Sequence, residues 1–145
     1  MDFLTALRIS GSGLSVERTR VNLASSNLAN AETTSGPDGG PYKRRDVALA
    51  SQPAAGGIAG ARASGADPGV FEVKVQGIVE DQAEPRLEYD PGHPDADARG
   101  YVKYPNIDLA FEMVNMMEAS RAYEANITTM EVSKAMMNSS LRLIA

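Results

Sequence analysis

Residues Asn106–Ala145 read NIDLAFEMVNMMEASRAYEANITTMEVSKAMMNSSLRLIA, and neither glycine nor proline interrupts them. Within that run Leu109, Met113, Met116, Ser120, Tyr123, Ile127, Met130, Lys134, Met137, Leu141 and Ile144 alternate spacings of four and three, and nine of the eleven are apolar. This is the 3.5-residue seam of a coiled coil held over five heptads. Pro105 and Asn106 supply a helix start. At 1.5 Å per residue the helix extends roughly 50–55 Å. A helix of that length with one apolar seam needs a partner helix.

The start of the chain offers one. Leu4, Leu7, Gly11, Leu14, Arg18, Val21, Ser25 and Leu28 repeat the alternation, five of the eight being apolar. Gly11 and Gly13 each cost about 1 kcal/mol inside a helix relative to alanine, so this helix forms mainly when packed. Asp2 is its candidate N-cap, and Glu17 with Arg20 sits at ion-pair spacing.

Between the helices the chain changes character. Thr33–Pro41 (TTSGPDGGP) is a turn cluster, and Tyr42–Leu49 (YKRRDVAL) reads as a strand. Ala50–Gly69 has 16 of its 20 residues in Ala, Gly, Ser or Pro and reads as a flexible excursion. Val70–Val79 alternates until Gly77, as a strand pair or one bulged strand. Arg86–Tyr89 and Tyr101–Tyr104 are further short strands, separated by the turn-rich DPGHPDADARG. The expected fold is α+β: two long terminal helices packed as an antiparallel coiled coil, with a small β-rich unit inserted between them. The divisions are 1–35, 36–104 (with the excursion at 50–69) and 105–145.

Composition narrows the function. Of 145 residues 62 are hydrophobic, but 21 of these are alanine and 29 are Leu, Ile, Val or Phe, so a conventional core is thin. A net charge of −5 argues against a general nucleic-acid binder. The absence of cysteine excludes disulfides, thiol catalysis and Cys-ligated zinc. No run reaches the roughly 18 apolar residues of a membrane span, and MDFLTALRIS lacks the features of a cleavable signal. Neither membrane insertion nor a cofactor is expected.

Candidate chemistry is sparse. Asp95–Gly100 begins like a calcium loop, but position 5 is Arg99 and position 12 is Asn106, with no helix ahead of it. His93 reads as a turn histidine beside Asp90, Asp95 and Asp97. The serine pairs Ser25-Ser26 and Ser139-Ser140 have no base, and Glu84 and Glu88 lack apolar surroundings to raise a pKa. Lys43-Arg44-Arg45 is too short for a nucleic-acid patch and suits a strand face or a contact to acidic neighbours. Seven acids against one arginine in Glu80–Asp97 make a solvated surface or a charged docking face. An enzyme is therefore not expected. The methionines of the seam suit either a simple core or an adaptable surface for non-identical neighbours.

Four segments carry a resemblance. Ser26-Asn27-Leu28-Ala29-Asn30-Ala31 resembles the Asn-Leu-Ala-Asn signature of the bacterial flagellar rod and hook proteins. Gly100–Met137 (GYVKYPNIDLAFEMVNMMEASRAYEANITTMEVSKAMM) is similar to the C-terminal region of flagellar basal-body rod proteins. Gly36–Leu49 (GPDGGPYKRRDVAL) and Pro85–Asn106 (PRLEYDPGHPDADARGYVKYPN) resemble their middle, whereas Ala50–Gly69 does not match. The resemblance implies an axial structural protein of the proximal rod in the bacterial periplasm, assembled with copies of itself and other rod proteins on the MS-ring side. It further implies export, unfolded and without signal cleavage, through the flagellar type III apparatus. The residues assigned to the assembly interface are Leu4, Leu7, Leu14, Val21, Asn27, Leu28 and Asn30 on the first helix. On the second they are Leu109, Met113, Met116, Tyr123, Ile127, Met130, Met137, Leu141 and Ile144. The rival reading is a soluble cytoplasmic coiled-coil adaptor that binds a partner helix in a groove.

Overall fold

The computed structural model describes residues 3–36, 39–53 and 71–144. Asp2 and residues 54–69 of the excursion lie outside the described residues. So do the side chains of Leu4 and Ile144.

Helix α1 spans Phe3–Ala29 and helix α2 spans Leu109–Ile144. α2 begins at Leu109 and not at Pro105 because Asp108 supplies the cap. Its Oδ1 accepts the backbone N–H groups of Ala110 at 2.9 Å and Phe111 at 3.3 Å, pairing two of the donors that a helix start leaves free. α1 ends where Asn30 folds back, its Nδ2 donating to the Ser26 carbonyl at 2.8 Å.

The two helices run antiparallel. Asn27 bonds Glu112, and Gly13 lies against Asn126, so both helices advance 14 residues between the two meeting points (27 − 13 and 126 − 112). At the second point the helices come very close. A Cβ added to Gly13 would stand 3.0 Å from Asn126 Nδ2. The glycine that weakens α1 as an isolated helix thus permits its packing.

Among the described residues, the middle forms two separate two-stranded antiparallel sheets. Strand β1 (Arg45–Pro53) pairs with β2 (Phe71–Glu80), from Arg45 opposite Glu80 to Pro53 opposite Phe71. The register moves from Ala48–Gly77 to Leu49–Val75, which leaves Gln76 as the extra residue of a bulge beside the glycine. β1 therefore begins three residues later than the sequence suggests and runs on through Ala50–Pro53. Those four residues have weak strand propensity, but they are carried by pairing with the β-prone Phe71–Lys74. This ribbon lies along α1. Asn27 holds it at one end, and Ser12 Oγ, accepting from Val73 N at 3.4 Å, holds it at the other, beside an Arg8–Glu72 ion pair at 3.6 Å.

Strands β3 (Arg86–Tyr89) and β4 (Tyr101–Tyr104) form a hairpin. Its long turn is organised by Asp97, whose Oδ1 accepts the N–H groups of Arg99 at 2.7 Å and Tyr101 at 3.0 Å. Those backbone bonds, from Tyr101 first and then Arg99, hold the carboxyl below its ordinary pKa. Gly100 closes the turn with φ of 81°, and a Cβ there would stand 2.9 Å from the Tyr89 ring. Only glycine fits.

The core is as thin as the composition requires. Among the described residues Val16, Ala24, Val102 and Ala119 are the buried hydrophobic side chains, joined by the polar Ser10, Asn27 and Glu112.

Candidate assembly interface

One end of the helix pair holds a buried polar joint. Asn27, in the last turn of α1, is 1 % exposed. Its Nδ2 donates to the Arg45 carbonyl at 2.8 Å and to Glu112 Oε2 at 3.1 Å. Its Oδ1 accepts from Arg45 N at 2.9 Å and from the Tyr42 hydroxyl at 3.1 Å. Both donors and both acceptor positions of the amide are thereby used. Toward Arg45 the side chain behaves as a neighbouring strand would, taking both backbone groups at the start of β1.

Glu112, in the first turns of α2, is 2 % exposed. Its other oxygen accepts Arg44 Nε at 2.7 Å. Arg44 also reaches Asp46 Oδ2 at 3.2 Å and lies over the Phe111 ring. Burial alone lowers the pKa of this guanidinium. The hydrogen bond and charge of Glu112, with those of Asp46, outweigh that and raise it above its ordinary value. Arg45 pairs with Glu80 at 3.2 Å and covers the Tyr42 ring. The basic run 43–45 is therefore largely spent on acids of its own chain. A cavity of about 110 Å³ opens beside the joint, lined by Arg20, Leu23, Phe111 and Asn115 among others.

Away from the joint, burial selects a face of α2 that is offset from the apolar seam. Glu112 and Ala119 are buried and Asn126 meets Gly13, with Met116 and Tyr123 half-buried between these positions and Met130 and Met137 half-buried beyond them. Leu109, Met113 and Leu141 are exposed at 46 %, 48 % and 59 %. Ile127 is half-buried, as are Leu7, Leu14, Val21, Leu28 and Asn30 on α1. The cause is distance. Where α1 presents Gly13, the close approach admits Asn126, and longer side chains move to the flanks. Phe111, Val114, Met117, Val132 and Met136 are also exposed on α2, and Leu87 and Tyr89 on the hairpin. So much uncovered apolar surface on a small chain marks contact with other molecules.

Sequence reasoning missed Glu112 and placed Asn27 on the assembly interface without its partners within the chain. A signal existed: an acid between Phe111 and Met113 in an apolar run, with a basic run at Lys43-Arg44-Arg45 already suited to an acidic neighbour.

Elsewhere Asp95 accepts Thr34 Oγ1 at 2.7 Å, and His93 Nδ1 accepts Asp95 N at 3.1 Å. Among the described residues no helix is long and apolar enough to cross a membrane.

Comparison with known proteins bears on both helices. Residues 7–37 match the family model "Flagella basal body rod protein", and residues 98–143 match "Flagellar basal body rod FlgEFG protein C-terminal". The flagellar basal-body rod protein FlgC of Salmonella typhimurium (strain LT2) is 44 % identical over 143 residues, covering 99 % of this chain and 98 % of that protein. FlgC of Escherichia coli O6:H1 is 43 % identical with the same coverage. FlgC of Bacillus subtilis (strain 168) is 39 % identical, covering 95 % of each. Similarity at this level, running through helices, ribbon and hairpin alike, shows that the chain belongs to the FlgC family of flagellar basal-body rod proteins.

Proposed function

We propose that the chain is a structural subunit of the bacterial flagellar basal-body rod, built into the proximal, MS-ring side of the shaft where it crosses the periplasm. Its role is static packing and not catalysis. It assembles with copies of itself and with other rod proteins by coupled folding of α1 and α2, after unfolded passage through the flagellar type III export apparatus. The observation that carries the reading is similarity to rod proteins along nearly the whole chain. The apolar side chains left uncovered on α2 support it, because neighbouring subunits would complete a core that the single chain leaves thin. A cytoplasmic adaptor is not favoured, since the similarity to rod proteins extends beyond the helices into the middle.

Met116→Asp and Ile127→Asp test the reading. Each places a charge on a half-buried stretch of α2, and each is expected to abolish incorporation into isolated basal bodies and to stop motility. Normal swimming by both variants would refute the packing role of this helix. In the dilute purified chain, amides toward the outer ends of both helices are expected to exchange quickly. Uniformly strong protection of the two helices would contradict coupled folding.

A further inference from the structure

We infer that the Asn27–Glu112–Arg44 joint is an interlock that sets the order in which the chain closes: the corner between α1 and β1 forms first, and α2 docks onto it. The groups of the joint are unequal in what they need. Asn27 finds three of its four bonds, to both backbone groups of Arg45 and to Tyr42, within 18 residues of its own position. Arg44 has Asp46 as a partner two residues away. Only Glu112 depends entirely on remote groups, lying 68 residues from Arg44 and 85 from Asn27.

Closing a short loop costs less entropy than closing a long one, so the corner is the nearer event. A carboxylate that is 2 % exposed must also meet its donors as it is buried, or pay for its lost hydration. With the corner in place, the Arg44 guanidinium and one Asn27 N–H stand ready for its two oxygens. No buried side-chain N or O among the described residues is left without a partner once α2 has docked. Docking of the first turns of α2 thus reports on a finished corner, whereas the corner does not require α2. For a chain that closes after unfolded export, which rests on the proposed function, this order keeps the longer helix open until its site exists.

Pulse-labelling hydrogen exchange during refolding of the full-length chain, with native-state exchange on variants, tests the order. Amides of residues 20–29 and 42–47 are expected to gain protection before those of 109–119. Glu112→Ala should speed native-state exchange in 109–119 by about tenfold, while during refolding it leaves the rate at which 20–29 and 42–47 gain protection within about threefold of the unaltered chain. Tyr42→Phe, which takes one bond from Asn27 and preserves packing, should speed native-state exchange in the corner and leave 109–119 within about threefold, because it weakens the corner equally whether or not α2 is docked. The interlock is overturned if α2 is protected first or simultaneously, if Glu112→Ala slows protection of the corner as much as that of the helix, or if Tyr42→Phe loosens 109–119 as much as the corner. Incorporation into basal bodies is scored separately. A chain that enters the rod but closes in the wrong order defeats the interlock and leaves the rod role standing.

Discussion

The two ends of the helix pair are built on different principles. At the joint, Ala24, Asn27 and Glu112 are all at or below 5 % exposure, and three stretches of chain converge on five complementary hydrogen bonds. Toward the other end Lys134, Met136 and Leu141 are exposed, and Met130 and Met137 are only half-buried. The joint end is specified by polar pairing within one chain. The far end presents apolar side chains that the same chain leaves unburied. A subunit that must first take shape and then attach to others needs both, and the pair of helices holds them apart along its length.

Four changes probe this contrast, taken from the largest expected effect to the smallest. Asn27→Asp brings a second carboxylate against Glu112 and removes the donor to the Arg45 carbonyl. A loss of about 3–5 kcal/mol in unfolding by denaturant is expected, and a loss under about 1 kcal/mol would show the joint to be dispensable. Gly100→Ala forces a side chain into a left-handed backbone position against Tyr89. It should cost about 1–3 kcal/mol, seen as faster amide exchange in β3 and β4 alone. Leu141→Asp at the far end should alter unfolding of the isolated chain by no more than about 0.5 kcal/mol and yet prevent basal-body incorporation. Equal damage to both measurements would erase the distinction between the ends.

The smallest effect concerns pH. Asp97 has its carboxyl pKa lowered in the folded turn, so its stabilising contribution is present above the ordinary aspartate value of about 3.9 and fades as pH falls through the folded value. The Tyr89 and Tyr101 rings, which meet edge-on with centroids 5.3 Å apart, should lose their mutual NMR shift in that acid range, and Asp97→Asn should remove the dependence.

Much of this architecture is legible in the sequence, for local reasons. Arg86–Tyr89 and Tyr101–Tyr104 stand out because short β-prone runs flank a turn rich in Pro, Gly and Asp, and they are the two strands of the hairpin. The 4–3 alternation between Leu109 and Ile144 marks a helix with a seam. Which side of the seam faces α1 is not legible, because it depends on how closely Asn126 approaches Gly13. Composition ranks methionine above alanine there, and close packing reverses the rank. Asn27 reads as part of a helix end because its neighbours in sequence are helical. Its partners Arg45 and Glu112 are reached only through the folded chain. The assembly face itself depends on molecules whose sequences are not in this one.

The β1–β2 ribbon has a mechanical consequence. It is pinned to α1 at Asn27 and again at Ser12 and Arg8, so it runs beside the helix for 15 residues or more, as a splint does along a limb. Two helices side by side bend easily out of their common plane. A third member fastened at two points to one of them raises the bending stiffness of the subunit without adding to its core.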